Sequence, residues 1–280
     1  MRTAGLAGLF LVAALAACQD APPPRDAHET LNAVLWMQGS AEYQVDTQSK
    51  YRQAKATLDR AIRDRRWTAA TEQTGDVARM SRLAVIMDLD ETVIDNGAFQ
   101  GELARRRTVF TRALWNEWVA KAQATALPGA LDFIAHAESR GVTVFYVTNR
   151  TSDGEAATRR NLEQLGIRLP AEIDTVLMVG EKPDWTGDKT SRRAAIAATH
   201  RILMLVGDDL GDFIGASRDT PENRVAAAQA HADRWGERWV LIANPAYGSW
   251  EAALYGRQFS LPEQEILRRK WGKLRSFEQR

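Results

Sequence analysis

Four short apolar runs that stop abruptly at polar residues punctuate the chain. Residues 83–87 (LAVIM) lead into Asp88-Leu89-Asp90-Glu91-Thr92, and 142–147 lead into Thr148-Asn149-Arg150. Residues 202–206 lead into Gly207-Asp208-Asp209, and 239–242 lead into Ala243-Asn244-Pro245. An apolar run ending in charge is how a buried parallel strand meets the end that carries chemistry. Helical stretches lie around and between these runs, at 101–124, 129–140, 153–165, 189–199 and 222–232. Upstream, 31–67 also reads as helical. Tyr51, Ala54, Leu58 and Ile62 share one face at spacings of three and four, with Lys50, Arg52, Gln53 and Asp59 off it. Residues 68–82 are polar, contain Gly75 and read as a connection. Strands alternating with helices predict an α/β fold: a parallel sheet flanked by helices, with ligands at the carboxyl ends of the strands. No internal repeat is present.

The first residues follow a different pattern. Residues 4–17 (AGLAGLFLVAALAA) are apolar or small and follow Arg2. Fourteen residues are too few to span a bilayer comfortably, but they suit the core of a secretory signal. The run ends in Leu15-Ala16-Ala17-Cys18, which resembles a bacterial lipobox. That likeness implies a lipid-modified Cys18 and a mature protein anchored to a membrane rather than spanning it. Gln19 after the cysteine, by the same likeness, points to the outer membrane and a periplasmic catalytic domain. The next stretch, with Pro22, Pro23 and Pro24, reads as an extended tether. The expected organisation is therefore a signal peptide at 1–17 and a tether at 18–30. A helical cap segment at 31–82 follows, then a core at 83–260 with a helical insert at 97–127, and a helical tail at 261–280.

Composition narrows the chemistry. With 37 Lys+Arg against 36 Asp+Glu the formal charge is +1, which argues against binding a nucleic-acid polymer by bulk electrostatics. One cysteine excludes a disulfide framework, a cysteine-rich zinc site and a dithiol redox centre. His28, His136, His200 and His231 lie far apart without metal-site spacing. Carboxylates, lysine, hydroxyls or an oxygen-loving metal must do the work.

The strand ends supply those groups. In an extended strand end alternate residues face one way, so Asp88 and Asp90 can share a site while Leu89 packs behind. Thr148 and Asn149 leave a second strand, Lys189 opens a helix, and Asp208, Asp209 and Asp212 follow a third strand. Converging carboxylates repel and raise one another's pKa, a conflict that an octahedral Mg2+ relieves. A hydroxyl, an amide and an ammonium suit the oxygens of a phosphoryl group. One aspartate can attack phosphorus, and another two residues on can protonate the leaving oxygen.

The ordered set DxDxT, Thr, Lys and GDDxxD resembles the haloacid dehalogenase superfamily. The strings WMQGSAEY, VIMDLDETVIDN, FYVTNR, DKTSRR, LVGDDLGDF and NPAYGSWE are similar to those of class C acid phosphatases, the lipoprotein 5'-nucleotidase family. The likeness covers about residues 29 to 260. It implies a HAD-like Rossmannoid sheet with a smaller helical cap, and Mg2+-dependent hydrolysis of phosphomonoesters, nucleoside 5'-monophosphates among them. It makes Asp88 the nucleophile and a metal ligand, and Asp90 the general acid/base, ligating metal through its carbonyl. Thr148 and Asn149 would hold the phosphoryl group and Lys189 would neutralise it. Asp208 would complete the metal shell, and Asp212 would orient Lys189 or the metal's waters. A protonated Asp90 implies best activity on the acid side of neutrality.

Two departures stand out. The family often has GDN where this chain has Gly207-Asp208-Asp209, so Asp209 is expected to add charge near the metal. Only one aromatic, in Gly97-Ala98-Phe99, follows the first motif. Trp115 and Trp118 share a helix face that suits packing, with Trp115 also a candidate for ligand stacking. Tyr247 is a candidate nucleoside or aryl contact. Arg192 and Arg193 are expected to face solvent or pair with acids. A phosphotransferase or phosphomutase of the same superfamily, or a non-catalytic ligand-binding surface lipoprotein, stays open as an alternative. So does the oligomeric state, a homodimer included.

Overall fold

The computed structural model of the protein describes residues 27–275 and 277. The apolar leader, Cys18 and most of the tether lie outside the described residues. A five-stranded parallel sheet is built from β1 (Leu83–Met87), β4 (Val142–Thr151), β5 (Val176–Val179), β6 (Arg201–Gly207) and β7 (Trp239–Leu241). Their order across the sheet is β5-β4-β1-β6-β7, so β1 and its acidic extension occupy the middle. A two-stranded antiparallel ribbon joins β2 (Ile94–Asp95) to β3 (Thr125–Ala126).

Both sheet faces are covered, as the apolar runs require. Along β1, Val85 and Met87 enter one core with Phe133, Val144, Tyr146, Leu162 and Val206. Ala84 and Ile86 enter the other with Phe145, Val147, Ile196, Leu205 and Trp239. The first core is closed by α2 (Ala41–Arg63), α5 (Ala130–Ser139) and α6 (Glu155–Gln164), the second by α7 (Thr190–Ala197). Tyr51, Ala54 and Leu58 are buried, as their spacing predicts.

Three boundaries differ from the sequence reading. The helical run from 31 breaks at Ser40, whose side chain caps α2 by accepting from the Tyr43 amide, leaving α1 (Leu31–Gly39) separate. The helix expected over 101–124 is two: α3 (Gly97–Arg106) and α4 (Arg112–Lys121). Arg107 ends α3 in the left-handed region (φ 52°), and Thr111 caps α4 by accepting from the Leu114 amide. β5 is not among the strands expected from the sequence; it is a four-residue edge strand beside β4, followed by Gly180-Glu181-Lys182. Phe99, Leu103, Trp115 and Val119 give α3 and α4 a small core of their own. The chain continues through α8 (Pro221–Gln229) and α9 (Ser249–Leu254) to α10 (Glu263–Trp271).

Candidate active site

The carboxyl ends of β1, β4 and β6 converge, and the loop before α7 closes the ring. Asp88 stands one residue past β1, its amide donating to the Val206 carbonyl of β6 at 2.9 Å. Lys189, 5% exposed, donates to Asp88 Oδ1 and, at 2.6 Å, to Asp212 Oδ1. The other oxygen of Asp212 accepts from the Asp209 amide at 2.9 Å, so Asp212 is a bracket between Lys189 and the turn after β6.

Gly207 makes that bracket fit. A Cβ there would stand 2.2 Å from Asp212 Oδ2 and 2.4 Å from its Cβ. Gly207→Ala must displace Asp212 and with it Lys189. Thermal unfolding is expected to show a loss of about 1–3 kcal/mol, the usual cost of overpacking, alongside reduced turnover. Unchanged melting and turnover would show that the bracket tolerates the shift.

Asp208 accepts from Thr92 Oγ1 at 3.2 Å and Asn244 Nδ2 at 2.8 Å, both neutral groups. Burial raises its pKa well above the ordinary range, and Asp88 and Asp212 add to the rise. Burial likewise pushes Asp88 up to about 7; Asp212 and Asp90 assist, and Lys189 opposes. Lys189 is the counterpart: burial would lower its pKa, but Asp212 and Asp88 outweigh it and hold the ammonium charged. Oxygens of Asp88, Asp208 and Asp212 lie within 4.8 Å of one another. An all-oxygen, negatively overloaded cluster fits a hard divalent cation. Both oxygens of Asp212 are engaged, by Lys189 and by the Asp209 amide, whereas Asp88 gives only Oδ1 to Lys189, so Asp88 and Asp208 are the side chains best placed to hold it.

These shifts set a pH dependence. With a folded pKa above its unfolded value, Asp88 makes the metal-free fold bind more protons than the unfolded chain between pH about 4 and 7. Its contribution to stability therefore falls as pH rises through that window. A cation binding the ionised cluster reverses this, so Mg2+ is expected to raise Tm more at pH 7 than at pH 5. An equal Mg2+ effect at both values would show that the cluster does not hold the ion.

Asp90 is held differently. Arg150, 3% exposed, donates to it through Nε (3.0 and 3.1 Å) and Nη2 (2.8 Å), and Asn96 Nδ2 donates at 2.8 Å. Arg150 is itself fixed by Thr158 Oγ1 at 3.1 Å and by the Trp115 ring, 5.4 Å from its guanidinium carbon. Trp118 Nε1 donates to Asn96 Oδ1 at 2.8 Å. The tryptophan pair thus supports the groups around Asp90. Trp115, 9% exposed, packs edge-on against Phe99, which leaves little of its ring for a ligand.

Thr148 is buried, and its hydroxyl accepts from the Arg150 amide at 3.1 Å. Asn149 is exposed, but its side chain is engaged: Oδ1 accepts from Arg192 at 2.8 Å and Nδ2 donates to the Gly187 carbonyl at 3.1 Å. Arg192 does not face solvent, and among the described residues it pairs with no acid. It is fully buried and donates to the Thr148 and Thr186 carbonyls, clamping the β4 end to the loop before Lys189. Arg193, also buried, pairs with Glu72 at 2.6 Å.

Tyr247 is half-buried, with its hydroxyl donating to Glu91. Glu91 is completely buried at φ 58°, a left-handed conformation that a non-glycine residue adopts at a cost of order 1–3 kcal/mol. The Asn96 amide (2.9 Å) and Tyr247 hold it there. Asp209 corrects the expectation that it charges the metal site. Its carboxylate accepts from the Ser249 amide (2.7 Å), the Ser249 hydroxyl and the Gly211 amide (2.8 Å), pinning the loop before α9.

A family model described as HAD superfamily, subfamily IIIB (acid phosphatase), matches residues 16–250. The chain belongs to this family. Its members' reaction class is phosphomonoester hydrolysis. The structure is similar to that of the class C acid phosphatase from Bacillus anthracis, at 30% identity and a TM-score of 0.78, covering 89% of this chain and 98% of that one. The same Bacillus enzyme with tungstate bound gives 31% identity and a TM-score of 0.77. Two Glycine max proteins, the stem 28 kDa and stem 31 kDa glycoproteins, are each 26% identical over 137 residues, 48% of this chain. The chain spans about half the length of these curated relatives, 53% and 46%.

Proposed function

We propose that this subfamily IIIB chain hydrolyses phosphomonoesters, nucleoside 5'-monophosphates among them, through a phosphorylated Asp88. The observation that carries the reading is the pairing of Asp88 with Lys189, with Arg150-bound Asp90 two residues on. Asp88 attacks phosphorus through a carboxylate oxygen, and the bond to the leaving oxygen breaks. Asp90 gives that oxygen a proton, then takes one from the water that attacks the phosphorylated aspartate. Lys189 and the Thr148 hydroxyl stand at the same rim to meet charge on the transferred group. Mg2+, held by Asp88, Asp208 and the Asp90 carbonyl, would supply charge neutralisation on the phosphoryl oxygens. Tyr247, half-buried past the end of β7 with its hydroxyl on Glu91, is a candidate to meet a nucleoside through its ring. The leader reading places the protein as a lipoprotein of the outer membrane, with this domain in the periplasm.

The test is phosphate release from nucleoside 5'-monophosphates and p-nitrophenyl phosphate, with Mg2+ and with chelator. Release from both, abolished by chelator and strongest below neutrality, is the expected result. Transfer of phosphate to an added sugar in preference to water would favour a phosphomutase. No release across pH about 5–8 would favour the ligand-binding reading.

A further inference from the structure

The loop that follows β7 does more than carry Tyr247. It is fastened at both ends to the acidic turn after β6, by consecutive residues of that turn. The Ile242 amide donates to the Gly207 carbonyl at 2.9 Å, which brings the loop alongside. Two residues on, Asn244 Nδ2 donates to Asp208 Oδ2 at 2.8 Å. At the far end the Ser249 amide donates to Asp209 at 2.7 Å, and the Ser249 hydroxyl joins it. The first of these fastenings falls on a carboxylate suited to hold a cation, and the second does not.

The other end of Asn244 fixes which way its amide points. Oδ1 accepts from the Ala246 amide at 3.0 Å and, more weakly, from the Tyr247 amide at 3.4 Å. An amide oxygen engaged by backbone N–H groups leaves the NH2 to face the carboxylate, so the side chain cannot flip without losing both sets of contacts. The second oxygen of Asp208 accepts from Thr92 Oγ1 at 3.2 Å. Both oxygens are thus held, and Asn244 makes the shorter contact. Both donors are neutral, and among the described residues no cation pairs with Asp208, so its charge stays available. Asp212, by contrast, is already paired with Lys189.

A carboxylate fixed in this way matters most to a small ion. Mg2+ demands near-ideal octahedral geometry at about 2.0–2.1 Å, whereas Ca2+ accepts ligands at about 2.3–2.6 Å in flexible arrangements. Asp88 and Asp208 are carboxylates that either ion accepts, so ligand type alone does not choose between them. We propose that Asn244 is a positioning residue that fixes Asp208 for a cation of Mg2+ size, and so sets the site's preference for Mg2+ over Ca2+. The inference rests on the reading that Asp88 and Asp208 hold a divalent cation. Hydrogen-bonded partners behind a metal ligand commonly govern affinity in this way, by holding the ligand where the ion needs it.

The test is calorimetric titration of the chelator-treated full chain with Mg2+ and with Ca2+, comparing the parent, Asn244→Ser and Ser249→Ala. Serine keeps a short acceptor for the Ala246 amide but is too short to reach Asp208. Asn244→Ser is expected to bind Mg2+ at least about 10-fold more weakly, and Ca2+ less than about 3-fold more weakly. Ser249→Ala loosens the same loop at Asp209 without touching Asp208, and should keep both affinities. Retained Ca2+ binding shows that the fold is intact. Mg2+ binding by Asn244→Ser equal to the parent's overturns the inference. Equal losses for the two ions also overturn it, since Asn244 would then support the fold rather than the geometry of the site. So does a Ser249→Ala chain that loses Mg2+ as Asn244→Ser does, because order in the loop would then be the cause. A parent that binds neither ion removes the metal reading itself, and this inference with it.

Discussion

Asp88→Asn is expected to lower phosphate release by about 10⁴-fold or more on every substrate, because the amide cannot displace the leaving oxygen. The loss should not depend on the leaving group. The substitution keeps the size of a buried side chain and removes a charge from an overloaded cluster. Asp88 is 8% exposed, and its pKa is driven up first by burial. The variant should therefore fold as well as the parent or better, and metal-free Tm measured at pH 7 checks this. A variant that folds and retains a tenth of the activity would remove Asp88 from the reaction.

Arg150→Met should give the second large effect, and one with a signature. Asp90 receives three contacts from the guanidinium, so losing it frees Asp90 to rotate away from the leaving oxygen. General-acid help is worth about 10²–10⁴-fold where the leaving group is a poor one and little where it is good. Turnover of a nucleoside 5'-monophosphate should fall roughly 10–100-fold, while turnover of p-nitrophenyl phosphate falls by less than about 3-fold. Asp90→Asn should show the same asymmetry, and Arg150→Lys should recover only part, since an ammonium cannot reproduce the fork. Equal losses on both substrates would mean that Arg150 supports the fold rather than the proton transfer. Steady-state kinetics on the two substrates distinguish these outcomes.

The central layout was legible because each reacting group follows an apolar run, and that transition is a local signal. Asp88, Asp90, Thr148 and Asp208 all stand where such runs stop. What could not be read were the second partners. Arg150 was visible beside Thr148, and an i, i+2 strand spacing places both on one side, but nothing local says that its fork reaches across to Asp90. Arg192 looked like a surface residue because buried arginines are rare. Its burial follows from three carbonyl and amide acceptors brought together only by folding: those of Thr148, Thr186 and Asn149. Asp209 misled for the reverse reason. Adjacency to Asp208 suggested a shared metal, yet successive side chains leave a strand end in opposite directions, and Asp209 turns to Ser249. The break after Arg107 had no glycine or proline to mark it. Thr108 and Val109 weaken the helix there, and Thr111 starts the next one.

The phosphorylated aspartate itself is the most direct test of the account. Enzyme in excess would be mixed with an aryl phosphate, quenched in acid within a turnover and reduced with borohydride, which converts an acyl phosphate to homoserine. Peptide sequencing by mass spectrometry should find homoserine at position 88, only when substrate was present and not in Asp88→Asn. Homoserine at another aspartate, or none at all from enzyme that is releasing phosphate, would contradict the mechanism.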